Sequence, residues 1–250
     1  MKRCVIVGAA EIGRYDIARR YVLPGDFCIF CDGGLRHLEP LGLRPDLIVG
    51  DFDSWDLDSL NFGSSDSGSR ENEIPPGTKG KCADSLGETC ADSFAETCAD
   101  SASGPPIIRL PREKDDTDTF FAAKKAVEMG FDEFVLLGAA GGRLDHTLGN
   151  VSILLYLAGL GKRALMVDDY SETEIVTDKA PALIPDSFAF FSLVNISGNA
   201  GEITIEEAKY CLKNGIIRCD YQYGISNEVL PGKTARVTLS GGELLLVKIF

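Results

Sequence analysis

The chain has 250 residues, enough for one large domain or two modest ones that each bury a core. Hydrophobic residues make up 44% and charged residues 25%, as in ordinary globular proteins, and no apolar run is long enough for a membrane-spanning helix. The formal net charge of −13 argues against a nucleic-acid-binding protein, because such proteins neutralise phosphates with Lys and Arg.

Short apolar runs alternate with helical stretches in the first part of the chain. The runs are continuous and rich in Val, Ile and Leu, which is typical of strands buried on both faces of a parallel sheet. Charged residues follow the first run too early for a signal peptide, so we expect a soluble, cytoplasmic protein. The predicted strands span residues 3–8, 27–31, 46–50, 107–110, 133–137 and 164–168.

Two helices are predicted between these strands, over residues 118–129 and 144–160. The second helix has the clearer apolar stripe, formed by Leu144, Leu148, Val151 and Leu155. Alternating strands and helices of this length predict an α/β domain with a mostly parallel open sheet. We assign it to residues 1–169.

The pattern changes near residues 169–171. Short β-prone runs follow, separated by turn signals such as Asn214-Gly215 and Gly241-Gly242. These runs predict a small all-β sandwich domain over residues 170–250. Its predicted strands span residues 174–177, 188–194, 202–205, 216–219, 234–239 and 243–250.

Residues 61–106 form a low-complexity segment rich in Ser, Gly, Asp and Glu, and we predict a flexible surface insertion there. A Cys-Ala-Asp-Ser motif recurs from Cys82, Cys90 and Cys98, at a spacing too short for a solenoid repeat. Soft-metal binding, redox sensing and a scaffold role are alternatives. We favour a duplicated loop with incidental thiols.

Cys28 and Cys31 have the spacing of a metal-binding pair but fall within one predicted strand. Residues three apart on a strand point to opposite faces, so these thiols are expected in the core rather than on one zinc ion. Without a signal peptide, the cysteines are expected to be reduced.

Four polar stretches lie at the carboxyl ends of predicted strands or in the loops that follow them. Because these strand ends share one edge of a parallel sheet, we expect the four stretches to converge in space. They span residues 31–34, 50–54, 114–118 and 138–147.

The chemistry of these stretches suits a metal–nucleotide site. Their carboxylates would repel one another and raise one another's pKa values unless a cation lay among them. Mg²⁺ fits, since it prefers a few carboxylates, water and substrate phosphates. Glycines before the second predicted helix offer backbone N–H groups to an anion, and Lys114 and Arg143 can neutralise charge that develops in phosphoryl transfer. The carboxylates are those of Asp51, Asp53, Asp116, Asp118 and Asp145.

Each stretch also has a plainer interpretation. Thr117 or Asp118 can cap the helix that follows, and Asp53 or Ser54 can cap another. His37 is interpreted as a surface or packing residue, and His146 as packing in a first helical turn rather than as a catalytic group. The occurrence of four such stretches on four strand ends favours a functional site.

At these positions the sequence resembles the thiamine pyrophosphokinase family, over nearly the whole chain outside the insertion. Three blocks in the α/β part and two in the β part carry the resemblance. The blocks span residues 31–54, 113–118, 141–147, 204–214 and 224–228.

The resemblance implies transfer of pyrophosphate from ATP to the hydroxyl of thiamine, which gives thiamine diphosphate and AMP, with Mg²⁺ as cofactor. It also implies homodimers whose active sites lie between the α/β domain of one subunit and the β domain of the other, without nucleic-acid or membrane partners. A pyrophosphokinase for another alcohol, such as a pterin, and a catalytically silent thiamine- or nucleotide-binding protein are the alternatives.

The resemblance also assigns roles by motif position. The catalytic acids are Asp51, Asp53, Asp118 and Asp145, and the first three of these are the metal ligands. The ATP- or phosphate-binding residues are Asp32, Gly33, Gly34, Lys114, Gly141, Gly142, Arg143, His146 and Thr147. The thiamine-facing residues are Asp116, Tyr210, Ser226 and Asn227, with the Tyr210 ring stacked on the heterocycle or, alternatively, packed in the sandwich.

Overall fold

The computed structural model describes residues 1–52, 96–98, 104–179, 181–198, 200–221 and 223–250, with residues 96–98 described through their backbone. Its main feature is a ten-stranded sheet, accompanied by a four-stranded sheet. The first seven strands are β1 (Arg3–Val7), β2 (Phe27–Cys31), β3 (Leu47–Gly50), β4 (Glu96–Cys98), β5 (Ile107–Arg109), β6 (Glu133–Leu137) and β7 (Arg163–Val167).

These strands lie in the order β7-β6-β1-β2-β3-β5-β4, and all neighbours are parallel except β4, which is antiparallel to β5. The chain runs outward from β1 through β2 and β3 to β5, then returns to β6 on the other side of β1. The strand order therefore reverses between β1 and β6. In open α/β sheets, ligands bind outside the carboxyl ends of the strands at such a switch point.

Helices cover both faces of the parallel part. The helices are α1 (Tyr15–Ala18), α2 (Leu38–Leu41), α3 (Asp118–Glu128) and α4 (Leu144–Gly159). Along β1, Cys4 and Ile6 pack in a core with α3 and α4, whereas Val5 and Val7 pack in a core with α1 and α2. Cys31 and Cys28 likewise belong to these two different cores, as the strand spacing predicted.

The apolar stripe predicted for α4 is wrong, since none of its four residues is among the buried residues of the helix. Leu144 is 72% exposed and Leu148 is 58% exposed. The helix instead buries Ile153, Leu154 and Leu157, which lie in its second half. The first turns of α4 begin in a loop at the carboxyl edge of the sheet, and their leucines stay outside the core that the rest of the helix covers.

The last seven strands are β8 (Ser171–Thr177), β9 (Ala182–Pro185), β10 (Phe190–Val194), β11 (Ile203–Glu206), β12 (Leu212–Gly215), β13 (Thr234–Leu239) and β14 (Glu243–Ile249). β8, β14 and β10 extend the large sheet antiparallel from β7, and β9, β11, β12 and β13 form the smaller sheet. The two layers enclose a core that contains Val176, Ile184, Phe191 and Leu244.

This arrangement confirms the predicted fold class, a mostly parallel α/β part followed by an all-β sandwich. The sandwich shares its first layer with the α/β part, because β7 pairs antiparallel with β8 across the proposed boundary. The limits of the two domains at residues 169 and 170 stay a prediction.

The strand predicted over residues 216–219 is wrong, since the paired residues are Leu212–Gly215. Ile217 is buried in the sandwich core, and its carbonyl accepts a hydrogen bond from the Asn195 side chain at 2.8 Å. The apolar character of this segment therefore reflects burial of a side chain rather than strand pairing. The sequence pattern also missed β9.

Asp53 and most of the predicted insertion at 61–106 lie outside the described residues. Within the described part of that segment, β4 pairs with β5 at the edge of the large sheet. Among the helices in the described residues, none combines the length and the apolar content needed to cross a bilayer.

Candidate active site

Two carboxylates meet around one ammonium at the carboxyl edge of the sheet. The Nζ atom of Lys114 lies 2.7 Å from Oδ1 of Asp118 and 3.2 Å from Oδ2 of Asp51. Asp51 directly follows β3, Lys114 lies in the loop after β5, and Asp118 begins α3. We call these three residues the acidic cluster. Their meeting is the convergence that the sequence predicted for these strand ends.

The helix cap explains why Asp118 is available to the cluster. The Thr117 side chain accepts a hydrogen bond from the backbone N–H of Phe120 at 3.2 Å and so caps α3. Asp118 is therefore not needed as the cap, and its carboxylate pairs with Lys114. Asp116, in contrast, pairs with Lys124 at 2.5 Å on the outer part of α3.

The acidic cluster is largely shielded from solvent, with side chains 15% to 22% exposed. Burial opposes the charge on Lys114, but hydrogen bonds and charges from Asp118 and Asp51 outweigh it and raise the pKa of Lys114. Two carboxylates against one ammonium leave a net negative charge.

This oxygen donor set fits Mg²⁺, which takes one or two carboxylates and completes its shell with water and phosphate. The described residues hold no group of three His, Cys, Asp or Glu side chains arranged as a metal site. Asp53, the third predicted ligand, lies outside them.

Asp32 lies close to this cluster, and Gly33 and Gly34 follow it in the chain. They begin a 3₁₀ helix, Asp32–His37, directly after β2. An added Cβ at Gly50 would lie 2.8 Å from the Cβ of Asp32, which places Asp32 against the end of β3 beside Asp51. At Gly34, an added Cβ would lie 2.3 Å from the Val7 carbonyl oxygen, so only glycine allows this close approach to β1.

The loop after β6 closes onto the first turn of α4. Gly141 and Gly142 have φ values of 117° and 50°, which glycine adopts readily. Thr147 Oγ1 accepts a hydrogen bond from the Gly141 N–H at 3.1 Å and donates one to the Arg143 carbonyl at 3.1 Å. Residues 141–143 therefore form a compact turn at the start of a helix, on the other side of the switch point from Asp32.

Asp145 pairs with Arg143 on the exposed start of α4. The guanidinium donates to both carboxylate oxygens, at 2.6 Å and 3.2 Å. These hydrogen bonds, together with that from the His146 backbone amide, lower the pKa of Asp145 to about 2. His146 is itself exposed. The pair thus differs from the acidic cluster, which is shielded from solvent.

The predicted thiamine-facing residues of the sandwich lie together. Asn227 accepts a hydrogen bond from the Tyr210 N–H at 3.0 Å and donates one to the Tyr210 carbonyl at 2.9 Å. Ser226 donates its backbone N–H to Ser192 Oγ. The Tyr210 ring is 62% exposed, so within this subunit it is not packed in the sandwich. Asn227 is buried, and its side chain contacts the backbone of Tyr210.

Of the two interpretations of His37, surface or packing, the structure confirms packing. His37 is buried, and its ring nitrogens lie 2.9 Å from the Ala10 carbonyl oxygen and 2.8 Å from the Tyr15 hydroxyl. These contacts join segments far apart in the chain. A single histidine after two glycines carries no periodic or spacing signal that would reveal them.

Two family models match the chain in succession. A model for the thiamin pyrophosphokinase catalytic domain matches residues 83–166, and one for the thiamin pyrophosphokinase vitamin B1 binding domain matches residues 172–244. The catalytic-domain match begins after Asp32 and Asp51, so the segment that carries them lies outside it.

Individual relatives give the same result. The thiamine pyrophosphokinase of Bacillus subtilis (strain 168) is 28% identical over 138 residues, which are 55% of this chain and 63% of that protein. In sequence, the chain thus spans less than two thirds of that curated relative.

Solved structures show the same fold over nearly the whole length. The B. subtilis thiamine pyrophosphokinase structure superposes with a TM-score of 0.74 at 20% identity over 99% of each chain. The thiamin pyrophosphokinase of Geobacillus thermodenitrificans gives 0.71 at 23% identity over 99% of this chain and 97% of the other. The thiamin pyrophosphokinase of Candida albicans gives a TM-score of 0.70 at 14% identity, over 100% of this chain and 89% of the other.

The matches agree with the order of parts along this chain. The catalytic-domain model covers α3 and the loop of residues 141–143, and the vitamin B1 binding model covers Tyr210, Ser226 and Asn227. The resemblance inferred from sequence blocks is thereby confirmed. The chain belongs to the thiamine pyrophosphokinase family.

Proposed function

We propose that the protein transfers the pyrophosphate group of MgATP to the hydroxyl of thiamine, yielding thiamine diphosphate and AMP. The observation that carries this proposal is the acidic cluster at the carboxyl edge of the sheet, in a chain that matches both domains of the family in order. The family match disfavours the two alternatives, another alcohol acceptor and a silent binding protein.

The reaction requires little covalent chemistry from the protein. The thiamine hydroxyl oxygen attacks the β-phosphorus of ATP, and a new O–P bond forms. The bond between that phosphorus and the oxygen leading to the α-phosphate breaks, and AMP leaves. The hydroxyl proton passes to a nearby carboxylate. Positioning and charge neutralisation supply most of the rate enhancement in such transfers.

The nucleotide would lie along the carboxyl edge of the sheet. Asp51 and Asp118, together with Asp53, would hold Mg²⁺, which neutralises phosphate charge when bound. Lys114 would move from its two carboxylates toward a phosphate oxygen. The remaining ATP contacts would come from the two glycine-containing loops that flank the switch point, at Asp32, Gly33, Gly34, Gly141, Gly142, Arg143, His146 and Thr147.

Asp145 and Arg143 would act together. As an ion pair on the exposed helix start, they lie where a substrate can separate them, with the guanidinium on phosphate and the carboxylate on the thiamine hydroxyl. This is the proposed catalytic role of Asp145.

Thiamine would stack on the exposed ring of Tyr210, with Ser226 and Asn227 beside it and Asp116 on the α/β side. A cationic thiazolium favours such a π face. Lys209 now lies over that ring, with its Nζ atom 5.8 Å from the centroid, which shows that the face admits a cation.

A homodimer is part of the proposal. Leu144 and Leu148 on α4 and Tyr210 and Tyr221 on the sandwich are large apolar side chains that are all at least 58% exposed. A partner subunit would cover them and bring its sandwich to this α/β edge. We further propose that residues 1–169 and 170–250 act as the two functional domains, in a cytoplasmic enzyme.

The test is AMP release from MgATP by the purified protein, with and without thiamine, with the organic product identified by mass. Thiamine-dependent AMP together with thiamine diphosphate supports the proposal. AMP release with a pterin alcohol and not with thiamine would support the first alternative. Binding of thiamine and ATP without any AMP would support the second.

A further inference from the structure

His37 is a fully shielded histidine next to the proposed nucleotide site. It ends the 3₁₀ helix that begins with Asp32, and it is 1% exposed. A polar ring at such a position requires partners for both nitrogens, because an unpaired buried polar group is costly. The partners of this ring lie on two other segments of the chain.

The hydrogen bonds define the tautomer of the ring. Nε2 lies 2.9 Å from the Ala10 carbonyl oxygen, which can only accept, so Nε2 carries the hydrogen. Nδ1 then accepts a hydrogen bond from the Tyr15 hydroxyl at 2.8 Å. Burial lowers the pKa of His37, which is consistent with a neutral ring.

The Ala10 peptide continues the connection to a third loop. Its N–H donates to the Gly138 carbonyl at 2.8 Å, while its carbonyl accepts from His37. The loops after β1, β2 and β6 are thereby joined through a single residue. These three loops surround the switch point of the sheet, and two of them carry the proposed phosphate-binding glycines.

The loops otherwise meet backbone to backbone. An added Cβ at Gly8 would lie 2.6 Å from the Gly138 carbonyl oxygen, and one at Gly34 would lie 2.9 Å from the Gly8 carbonyl oxygen. Contacts this close leave no room for other side chains between the loops. A displacement of one loop therefore changes the position of the others.

We propose that His37 is a positioning residue that holds the two phosphate-binding loops at the separation required by the ATP phosphates, through the Ala10 peptide. This inference rests on the proposed function only in naming ATP as the ligand. His37 makes no contact with substrate in this role.

The experiment compares three variants with the unmodified protein by equilibrium binding of MgATP and MgADP, by steady-state kinetics and by thermal unfolding. His37→Leu removes both hydrogen bonds, whereas His37→Gln places an amide N–H where Nε2 was and retains the one to Ala10. Tyr15→Phe removes only the hydroxyl that donates to Nδ1. Tyr170→Phe, at an exposed tyrosine, is its matched control. Leu157→Ala, in the core beneath the far half of α4, controls for lost stability.

His37→Leu is expected to raise the Kd and the KM for nucleotide roughly tenfold or more, since small misplacements of binding groups cost this much, while the KM for thiamine stays unchanged. His37→Gln should recover most of the affinity, and Tyr15→Phe should fall between the two. If His37 were merely structural, His37→Leu would have the same nucleotide Kd as Leu157→Ala once the two variants are compared at an equal loss of melting temperature.

Unchanged nucleotide binding in His37→Leu would overturn the inference, and so would a failure of the unmodified protein to bind either nucleotide. Binding that follows the expected order without thiamine-dependent AMP release would support the positioning role and reject the proposed reaction. The two proposals can thus fail separately.

Discussion

Lys114 occupies the place between Asp51 and Asp118 where the proposed metal would share the same carboxylates. In the absence of a divalent cation, its ammonium compensates two carboxylates that are largely shielded from solvent. If Mg²⁺ binds these carboxylates as proposed, that compensation becomes unnecessary and Lys114 can reach phosphate. In that proposal, Lys114 and Mg²⁺ compete for the same two carboxylates.

Lys114→Met is expected to lower the melting temperature in chelator-treated protein, because the carboxylates of Asp51 and Asp118 lose the ammonium that lies between them. Adding Mg²⁺ should restore more stability to the variant than to the unmodified protein, by mass action on a vacated site. Thermal unfolding over a Mg²⁺ titration measures this difference. Lys162→Met is the matched control. The Nζ atom of Lys162 lies 2.8 Å from Oδ1 of Asp132, and this ion pair is remote from the carboxyl edge of the sheet. Equal Mg²⁺ responses in both variants would contradict the metal assignment.

His37 should make stability depend on pH in a defined direction. Burial lowers its pKa from the ordinary value of 6.5, so the unfolded chain binds the proton more readily than the folded one. The contribution of the neutral His37 ring to the free energy of unfolding is fully present above about pH 6.5. It is lost as the pH falls through the folded pKa, and the free energy of unfolding then decreases by at most about 1.4 kcal/mol per pH unit.

The measurement is the free energy of unfolding of the unmodified protein and of His37→Gln, from denaturant titrations between pH 7.5 and pH 5.0. The exposed His146 and the carboxylates are common to both proteins and cancel in the difference. The stability of the unmodified protein should fall more steeply below about pH 6.5. Parallel curves would show that the ring is not held neutral.

For individual residues, the sequence predicted which side chains lie at the carboxyl edge better than it predicted which groups they pair with. Asp51, Lys114 and Asp118 could be placed together because each follows a strand whose end reaches the same edge. That Asp145 pairs with Arg143, and that His37 joins Ala10, depends on side-chain geometry and on contacts across the fold. Those are not encoded in local spacing.

At the scale of elements, α4 shows how periodicity can mislead. Its leucines at 144 and 148 lie on a different face of the helix from the buried Ile153, Leu154 and Leu157, and they are exposed. Periodicity reports which residues share a face and does not say what covers that face. The boundaries of α3 and β6 were predicted within one residue, because a Thr cap and a continuous apolar run are local signals.

Asn227 supports the turn between β11 and β12 that presents Tyr210. Asn227→Ala would remove two hydrogen bonds to the Tyr210 backbone and release the ring from its orientation. We expect the KM for thiamine to rise roughly tenfold, with the KM for ATP unchanged, since stacking requires a fixed ring. Substrate titrations of AMP release measure both constants.

Asn195→Ala is the matched control for this variant. Asn195 is equally buried in the sandwich, and its side chain bonds the Ile217 carbonyl and the Gly198 N–H, away from Tyr210. It should lower stability without the selective change in thiamine KM. A similar rise in both variants would show that Asn227 acts only through the stability of the sandwich.

For the whole molecule, the decisive issue is whether one active site draws on two subunits. If it does, Asp118→Asn and Tyr210→Ala damage opposite sides of the same site. Mixed dimers then contain one site with both residues intact. After dissociation and random reassociation of equal amounts, activity at low thiamine should recover to about a quarter of that of the unmodified protein.

The control mixes Asp118→Asn with Asp51→Asn, which lie on the same side and cannot complement each other. AMP release is measured before and after reassociation, and sedimentation confirms the dimer. Absence of recovery in the first mixture, with dimers present, would place both residues in a site formed by a single subunit.

The pairing of β7 with β8 also bears on how the protein unfolds and how it can change. A sheet that passes without interruption from the α/β part into the sandwich links their backbones by a ladder of hydrogen bonds. Loss of order in one part exposes the edge strand of the other, so the two parts are expected to melt as one cooperative unit. For the same reason, the sandwich is not an interchangeable module. A replacement would have to present a strand that matches β7 in register and length.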